Sequence, residues 1–208
     1  MGERAENKAR VRRRVLDIAS RAVREHGADG VSVAEVMRAA GLTHGTFYSH
    51  FGSKNELVAE AVRHAADGYR EALRTEATAR LSEAERGDAD ARARALAETY
   101  LSTEHLEGRA DGCFIAALGP ELSRDHGPIG NAFSDSVDAG IGMLETLLGE
   151  TNAKGGTSAD GATRDRAVSS LATAVGGMIL ARAARDESSA EAVLRACREA
   201  LATRRGRS

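Results

Sequence analysis

The sequence predicts an all-α protein, and three observations carry that prediction. Alanine supplies 40 of the 208 residues, against two prolines and 3% aromatic residues. Alanine loses least on entering a helix, whereas sheets draw on branched and aromatic side chains. Apolar residues recur at helical spacing along much of the chain. Ser32 precedes Glu35, and Ser53 precedes Glu56, by the three residues that make a capping box at a helix start.

The elements follow in order. Residues 8–26 read as a helix whose apolar stripe is Val11, Val15, Ile18, Ala19 and Ala22, with arginines elsewhere around the turn. His26-Gly27 ends it, a cation in the last turn and then a glycine. Ser32 opens a short helix over 33–39, and Gly41 stops it. Thr43 is placed to cap a third short helix, 44–51, with Phe47 and Phe51 on one side. Gly52 closes that helix. The second capping box opens a longer one, 53–80, carrying Leu57, Val58, Ala61, Val62, Ala65, Tyr69 and Leu73.

Further helices are expected over 89–107, 113–123, 128–148, 164–185 and 189–203. Pro120 should kink or shorten the helix over 113–123, and Pro128 suits a first helical position. Residues 149–162 read as a loop and 204–208 as a frayed tail.

Several classes are excluded. Cys113 and Cys197 are the only cysteines, so no disulfide scaffold is expected. No apolar run reaches spanning length, and the N-terminus lacks a signal core, so a soluble, cytoplasmic protein without a membrane partner is expected. The six histidines form no i,i+4 pair, and no HExxH, CxxC, GxSxG, Walker or Rossmann pattern occurs. No enzyme activity, metal or cofactor is expected.

The net charge of −2 hides an asymmetry. Residues 1–64 hold 11 Lys/Arg against 8 Asp/Glu, and residues 65–208 hold 18 against 23. A basic end on an acidic body points to a polyanionic partner for that end alone.

Three short helices with two tight turns in the first 52 residues outline a helix-turn-helix, with Gly41 at the turn. The helix over 44–51 is then the one able to enter a major groove, which is about one helix diameter wide. Its Thr43, Thr46, Tyr48, Ser49 and His50 are short or planar polar groups suited to phosphates and base edges, and Gly45 permits close approach.

The run from Val33 to Leu57, VAEVMRAAGLTHGTFYSHFGSKNEL, closely resembles the DNA-binding signature of TetR/AcrR-type transcriptional regulators. The likeness covers about residues 8–62. It implies an N-terminal helix-turn-helix DNA-binding domain, 1–52, joined to a C-terminal helical effector-binding and dimerisation domain, 53–208, with helix 53–80 as connector. It implies phosphate-contacting or positioning roles for Thr43, Tyr48 and His50. It puts His44, Gly45, Thr46 and Ser49 towards bases and Lys54 on the DNA backbone. Ser32 caps the helix that crosses the backbone and is a further phosphate candidate, and Arg10 and Arg13 add nonspecific attraction.

The last two helices look suited to self-pairing. Leu171, Val175, Ile179 and Leu180 lie along one, and Val193, Leu194, Cys197 and Leu201 along the other. The resemblance implies a homodimer through a four-helix bundle, a palindromic double-stranded DNA operator, and a small-molecule effector that relieves repression. Candidate effector contacts are Tyr100, His105, Phe114, Leu118, Phe133, Met143 and Met178. Cys113, at a predicted helix start, is an electrophile-sensing candidate. Two readings compete: an activator or ligand-independent regulator of the same fold, and a helical scaffold whose basic end meets another acidic partner.

Overall fold

The computed structural model describes residues 2–149 and 161–202. Most of the expected loop over 149–162, and the 204–208 tail, lie outside the described residues. Among those described there is no strand. The elements are α1 (Glu3–His26), α2 (Val33–Ala39), a 3₁₀ segment (His44–Ser49), α3 (Lys54–Ala79), a 3₁₀ turn (Glu85–Gly87), α4 (Ala89–Tyr100), α5 (Thr103–Glu107), α6 (Phe114–Leu122), α7 (Pro128–Leu148), α8 (Gly161–Ala183) and α9 (Glu187–Ala202).

The chain divides into two compact units, residues 1–69 with 109–136, and residues 70–108 with 137–208. The sequence places its domain boundary at 52/53; the compact units do not follow it. The reason lies in α1, whose C-terminal end is tied to α6. Glu121 accepts a hydrogen bond from the Ala28 amide at 2.8 Å, Arg21 pairs with Asp111, and Arg24 donates to the Gly112 carbonyl. Gly27 is required there. Its φ is +76°, and a Cβ would stand 2.7 Å from a Glu121 carboxylate oxygen.

The core of the first unit draws Val15, Ala19 and Val23 from α1, Val36 and Met37 from α2, then Phe47 and Phe51. Leu57, Val58, Ala61 and Val62 of α3 join them. The turn after α2 is a Schellman motif. The Leu42 amide reaches back to the Met37 carbonyl and the Gly41 amide to that of Arg38. Gly41, at φ +73°, supplies the left-handed residue that this motif needs. The serine half of each capping box forms: Ser32 accepts from the Glu35 amide and Ser53 from that of Glu56, while Glu56 accepts from the amide of Gly52, one residue before the cap, at 2.9 Å.

In the second unit α8 packs on α9, and α9 on α4. Gly177 allows the close approach, since a Cβ there would lie 2.7 Å from Cys197 Sγ and 3.3 Å from Leu101. The single helix expected over 89–107 is two. It breaks at Leu101, and Ser102 caps α5 by accepting from the His105 amide. The His105 ring then donates to the Tyr100 carbonyl at 2.6 Å, a bond that a continuous helix would not offer. Helix α6 carries Pro120 and ends two residues later, the early stop that the missing N–H favours. Pro128 opens α7.

Candidate nucleic-acid interface

The segment expected as an α-helix over 44–51 is a 3₁₀ turn over His44–Ser49. Its closing bonds run three residues back, from the Thr46 amide to the Thr43 carbonyl and from the His50 amide to that of Phe47. Tight winding suits so short a piece, flanked by glycine and pinned by two aromatic anchors. Phe47 and Phe51 are 2% and 1% exposed and stack at 5.7 Å between centroids.

With these two turned inward, the polar residues face out. Thr43, His44, Gly45, Tyr48 and Ser49 are exposed, Thr46 and His50 half-buried. Tyr48 is 68% exposed although its ring meets Phe47 edge-on at 5.1 Å. A large aromatic left in water at the tip of a helical turn has no intrachain reason to be there. Gly45 makes the same point. Its φ is not positive, and a Cβ would meet nothing within 4 Å. Neither conformation nor packing within the chain demands glycine at that position.

The short polar side chains are ordered by local bonds. The Thr43 and Thr46 hydroxyls pair at 2.9 Å, and Ser49 donates to the Thr46 carbonyl at 2.7 Å. Thr43 occupies the capping position, but its hydroxyl makes no capping bond to the backbone; it is spent on Thr46 instead. Lys54 is half-buried and donates to the Asp29 carbonyl at 2.8 Å. One of its three N–H donors is therefore committed to the loop before α2. Arg10 donates to Asn7 on the same exposed face of α1, and Arg13 is exposed.

His50 has a lowered pKa, first because burial penalises the charged ring and then because Lys8 and Arg12 lie close. Its Nδ1 is buried with no hydrogen bond, so only Nε2 remains to meet a partner.

Sequence reasoning missed Arg12 and Glu60. Arg12 stacks over the Phe51 ring at 4.4 Å, donates to the His50 carbonyl at 2.6 Å and pairs with Glu60 of α3. It thus fixes the end of the 3₁₀ segment to α1 and α3 together. The signal was present: Arg12 lies three residues before Val15 and seven before Ala19, on the buried stripe of α1 rather than elsewhere around the turn. An arginine on an apolar stripe covers it with its stem and seeks a carboxylate for its head.

The expected effector residues do not converge. Cys113, Phe114, Leu118 and Phe133 are buried in the first unit, where the Phe114 and Phe133 rings meet edge-on at 5.6 Å. Tyr100 lines a cavity of the second unit, together with Leu73, Ala97, Leu144 and Ser170. His105, Met143 and Met178 lie in the same unit but not on that cavity's wall. Cys113 is 2% exposed at the capping position of α6, a poor setting for an electrophile sensor.

The expected interface residues also divide. Leu194 is fully buried and Leu201 nearly so, and Leu201 and Leu171 line the cavity. These three belong to the interior of the single chain, because α9 is packed on both α8 and α4. Cys197 is held against Gly177. Val175 and Val193 are half-buried, whereas Ile179 and Leu180 are 38% and 62% exposed, with Val168 at 42% on the same helix. Helix α8 is thus apolar on its outer side as well as its inner one, the pattern of a helix with two partners.

No helix among the described residues is long and apolar enough to cross a membrane, and no cluster of three metal-ligating side chains occurs among them. Residues 15–61 match the family model described as bacterial regulatory proteins, tetR family. Residues 89–197 match that of the tetracyclin repressor-like C-terminal domain. No curated protein sequence matches the chain. Solved structures with the same fold include reduced NemR of E. coli, at 20% identity and a TM-score of 0.71 over 91% of this chain and 95% of that one. A TetR-family regulator from Agrobacterium tumefaciens gives 21% and 0.69 over 93% and 98%. One from Cytophaga hutchinsonii gives 15% and 0.72 over 97% and 98%.

Proposed function

The chain belongs to the TetR family of bacterial regulatory proteins, and from that premise we propose that it is a homodimeric repressor released from a palindromic operator by a small-molecule effector. A helix-turn-helix regulator of this family binds DNA and is not an enzyme. The single observation that carries the rest is the division of the 44–49 segment, Phe47 sealed inside and Gly45 and Tyr48 presented to solvent without an intrachain purpose.

In this reading His44, Gly45, Thr46 and Ser49 meet base edges, and Gly45 leaves room for the groove wall. Thr43, Tyr48, His50 and Lys54 hold phosphates, with Ser32, Arg10 and Arg13 as outer contacts. Phosphate contacts set the register while base contacts set the sequence. One short segment reads few bases, so specificity asks for two copies. The outer face of α8, with Val168, Ile179 and Leu180, supplies the symmetric surface. An effector shifts the equilibrium only by preferring the DNA-incompetent state.

The test is binding of the purified protein to duplexes spanning its own upstream DNA, at several salt concentrations. Retention on one palindromic fragment over competitor, with two protomers per site, supports the proposal. Equal binding to any duplex, abolished by moderate salt, refutes it in favour of a nonspecific basic end.

A further inference from the structure

Arg12 belongs to the densest basic run of the chain, Arg4 to Arg14, where a phosphate contact is the ready expectation. Its guanidinium is already engaged on three sides. Nη1 donates to the His50 carbonyl at 2.6 Å, Nη2 pairs with Glu60 of α3, and the guanidinium carbon lies over the Phe51 ring, 4.4 Å from its centroid. The Glu60 carboxylate offsets its charge. The two side chains are 30% and 27% exposed, so water and salt screen the pair only in part.

These bonds converge on the end of the DNA-facing segment. The 3₁₀ turn stops at Ser49, and His50 is its C-terminal cap. Carbonyls at a helical end lack a partner within the turn. Arg12 supplies one, and the same guanidinium covers the buried anchor Phe51. His50 is thus held twice, by its own carbonyl and through its neighbour's ring. Its side chain takes its direction from that fixed backbone. The planar fork of arginine makes this possible, since a lysine ammonium cannot stack and bridge two acceptors in the same way. Arg12 lies ahead of residues 15–61, which the family model matches, so the family assignment does not supply its role.

We propose that Arg12, braced by Glu60, is a positioning residue for DNA binding: it touches no phosphate itself and acts by holding His50 where a phosphate meets it. This rests on the placing of His50 at a phosphate in the function proposed above.

The full-length protein and the variants Glu60→Gln, Arg12→Gln and their combination are titrated with the fragment retained in the upstream-DNA test, over a series of salt concentrations. Urea midpoints are measured alongside. The two roles of Arg12 predict opposite signs. An Arg12 that grips phosphate is released by Glu60→Gln, and binding tightens. An Arg12 that positions His50 loses its brace, and binding weakens by about tenfold, the loss of one hydrogen-bonded contact. The double variant removes the pair without leaving a lone charge. It should weaken binding no more than Arg12→Gln alone, because both changes break one clamp. Its slope of log K against log salt should equal the parent's, whereas loss of a phosphate contact would reduce that slope by about one unit. If Arg12→Gln does not fold, Glu60→Gln keeps size and shape and decides by its sign.

Tighter binding in Glu60→Gln, a reduced slope in the double variant, or lower urea midpoints with unchanged affinity each overturn the positioning role. A parent protein that prefers no fragment takes the proposed function down and this inference with it. A selective parent with a tighter-binding Glu60→Gln variant takes down this inference alone.

Discussion

The DNA-facing end and the α8–α9 pair differ in what holds each together. Around the 44–49 segment, structure is written in a few singular residues: Gly41 at positive φ, the two serine caps, Phe47 and Phe51, and Arg12 stacked on the latter. Each has one physical job, and most have no substitute. In α8 and α9 the contacts come from alanine, glycine and leucine repeated on several sides, with Ala167, Ala174, Gly177 and Met178 inside and Val168, Ile179 and Leu180 outside. A punctuated region should fail sharply at single positions. A repetitive one should fail by face.

The sharpest break is Phe47→Ala. Removing a ring that is 2% exposed and stacked on Phe51 should cost about 3–5 kcal/mol. Much of the protein's margin is of that size, so urea unfolding should show a large fall in midpoint. A cost near 1 kcal/mol would show that the small core adapts, and the contrast between the regions would weaken.

The second region has one singular group of its own, and pH exposes it. Burial lowers the His105 pKa to about 4, against the 6.5 of a free ring. The folded form therefore binds fewer protons than the unfolded one between those values. Stability is fully present above pH 6.5 and is lost as pH falls towards 4, by about 3 kcal/mol in all. Denaturation midpoints across pH 4–7 should show this slope, and His105→Asn should flatten it. An unchanged slope in the variant would place the acid sensitivity elsewhere.

The faces of α8 and α9 separate in the next pair. Leu194→Ala removes a fully buried side chain and should cost about 2–5 kcal/mol in unfolding. Leu180→Asp touches a residue 62% exposed and should leave monomer stability nearly unchanged. Its effect should appear in sedimentation, as loss of the dimer at micromolar concentration. A monomeric parent protein would remove the premise, and a dimeric Leu180→Asp would move the interface off this part of α8.

The same contrast explains what was legible in the sequence. Gly41, Ser32, Ser53 and the Phe47/Phe51 pair announce local geometry, so the order and extent of α2, the 44–49 segment and the start of α3 could be read directly. The 3₁₀ winding could not, because the spacing of Phe47 and Phe51 fits an α-turn equally well. Arg12 was hidden by company: five other basic residues lie between Arg4 and Arg14, and composition alone does not mark which one faces inward. In α8, apolar residues on all sides leave no register to read. Leu194 and Leu201 were therefore expected at an interface that the chain itself occupies. The capping power of Ser102, which splits α4 from α5, was outweighed by an otherwise continuous helical pattern.

The smallest expected effect tests the DNA-facing end where it is least singular. Lys54 already donates to the Asp29 carbonyl, so it enters the interface as a part-committed cation, not a free one. An ammonium carries three donors, and one backbone bond leaves two for a phosphate. If Lys54 neutralises one phosphate, Lys54→Ala should weaken binding to every duplex by a similar factor and reduce the slope of log K against log salt by about one unit. Thr46→Ala should instead change the ranking of operator variants, with little change in slope. Should Lys54→Ala leave the slope intact while lowering stability, the Asp29 bond is its whole role, and the backbone grip must come from α1, where Lys8, Arg10 and Arg13 stand.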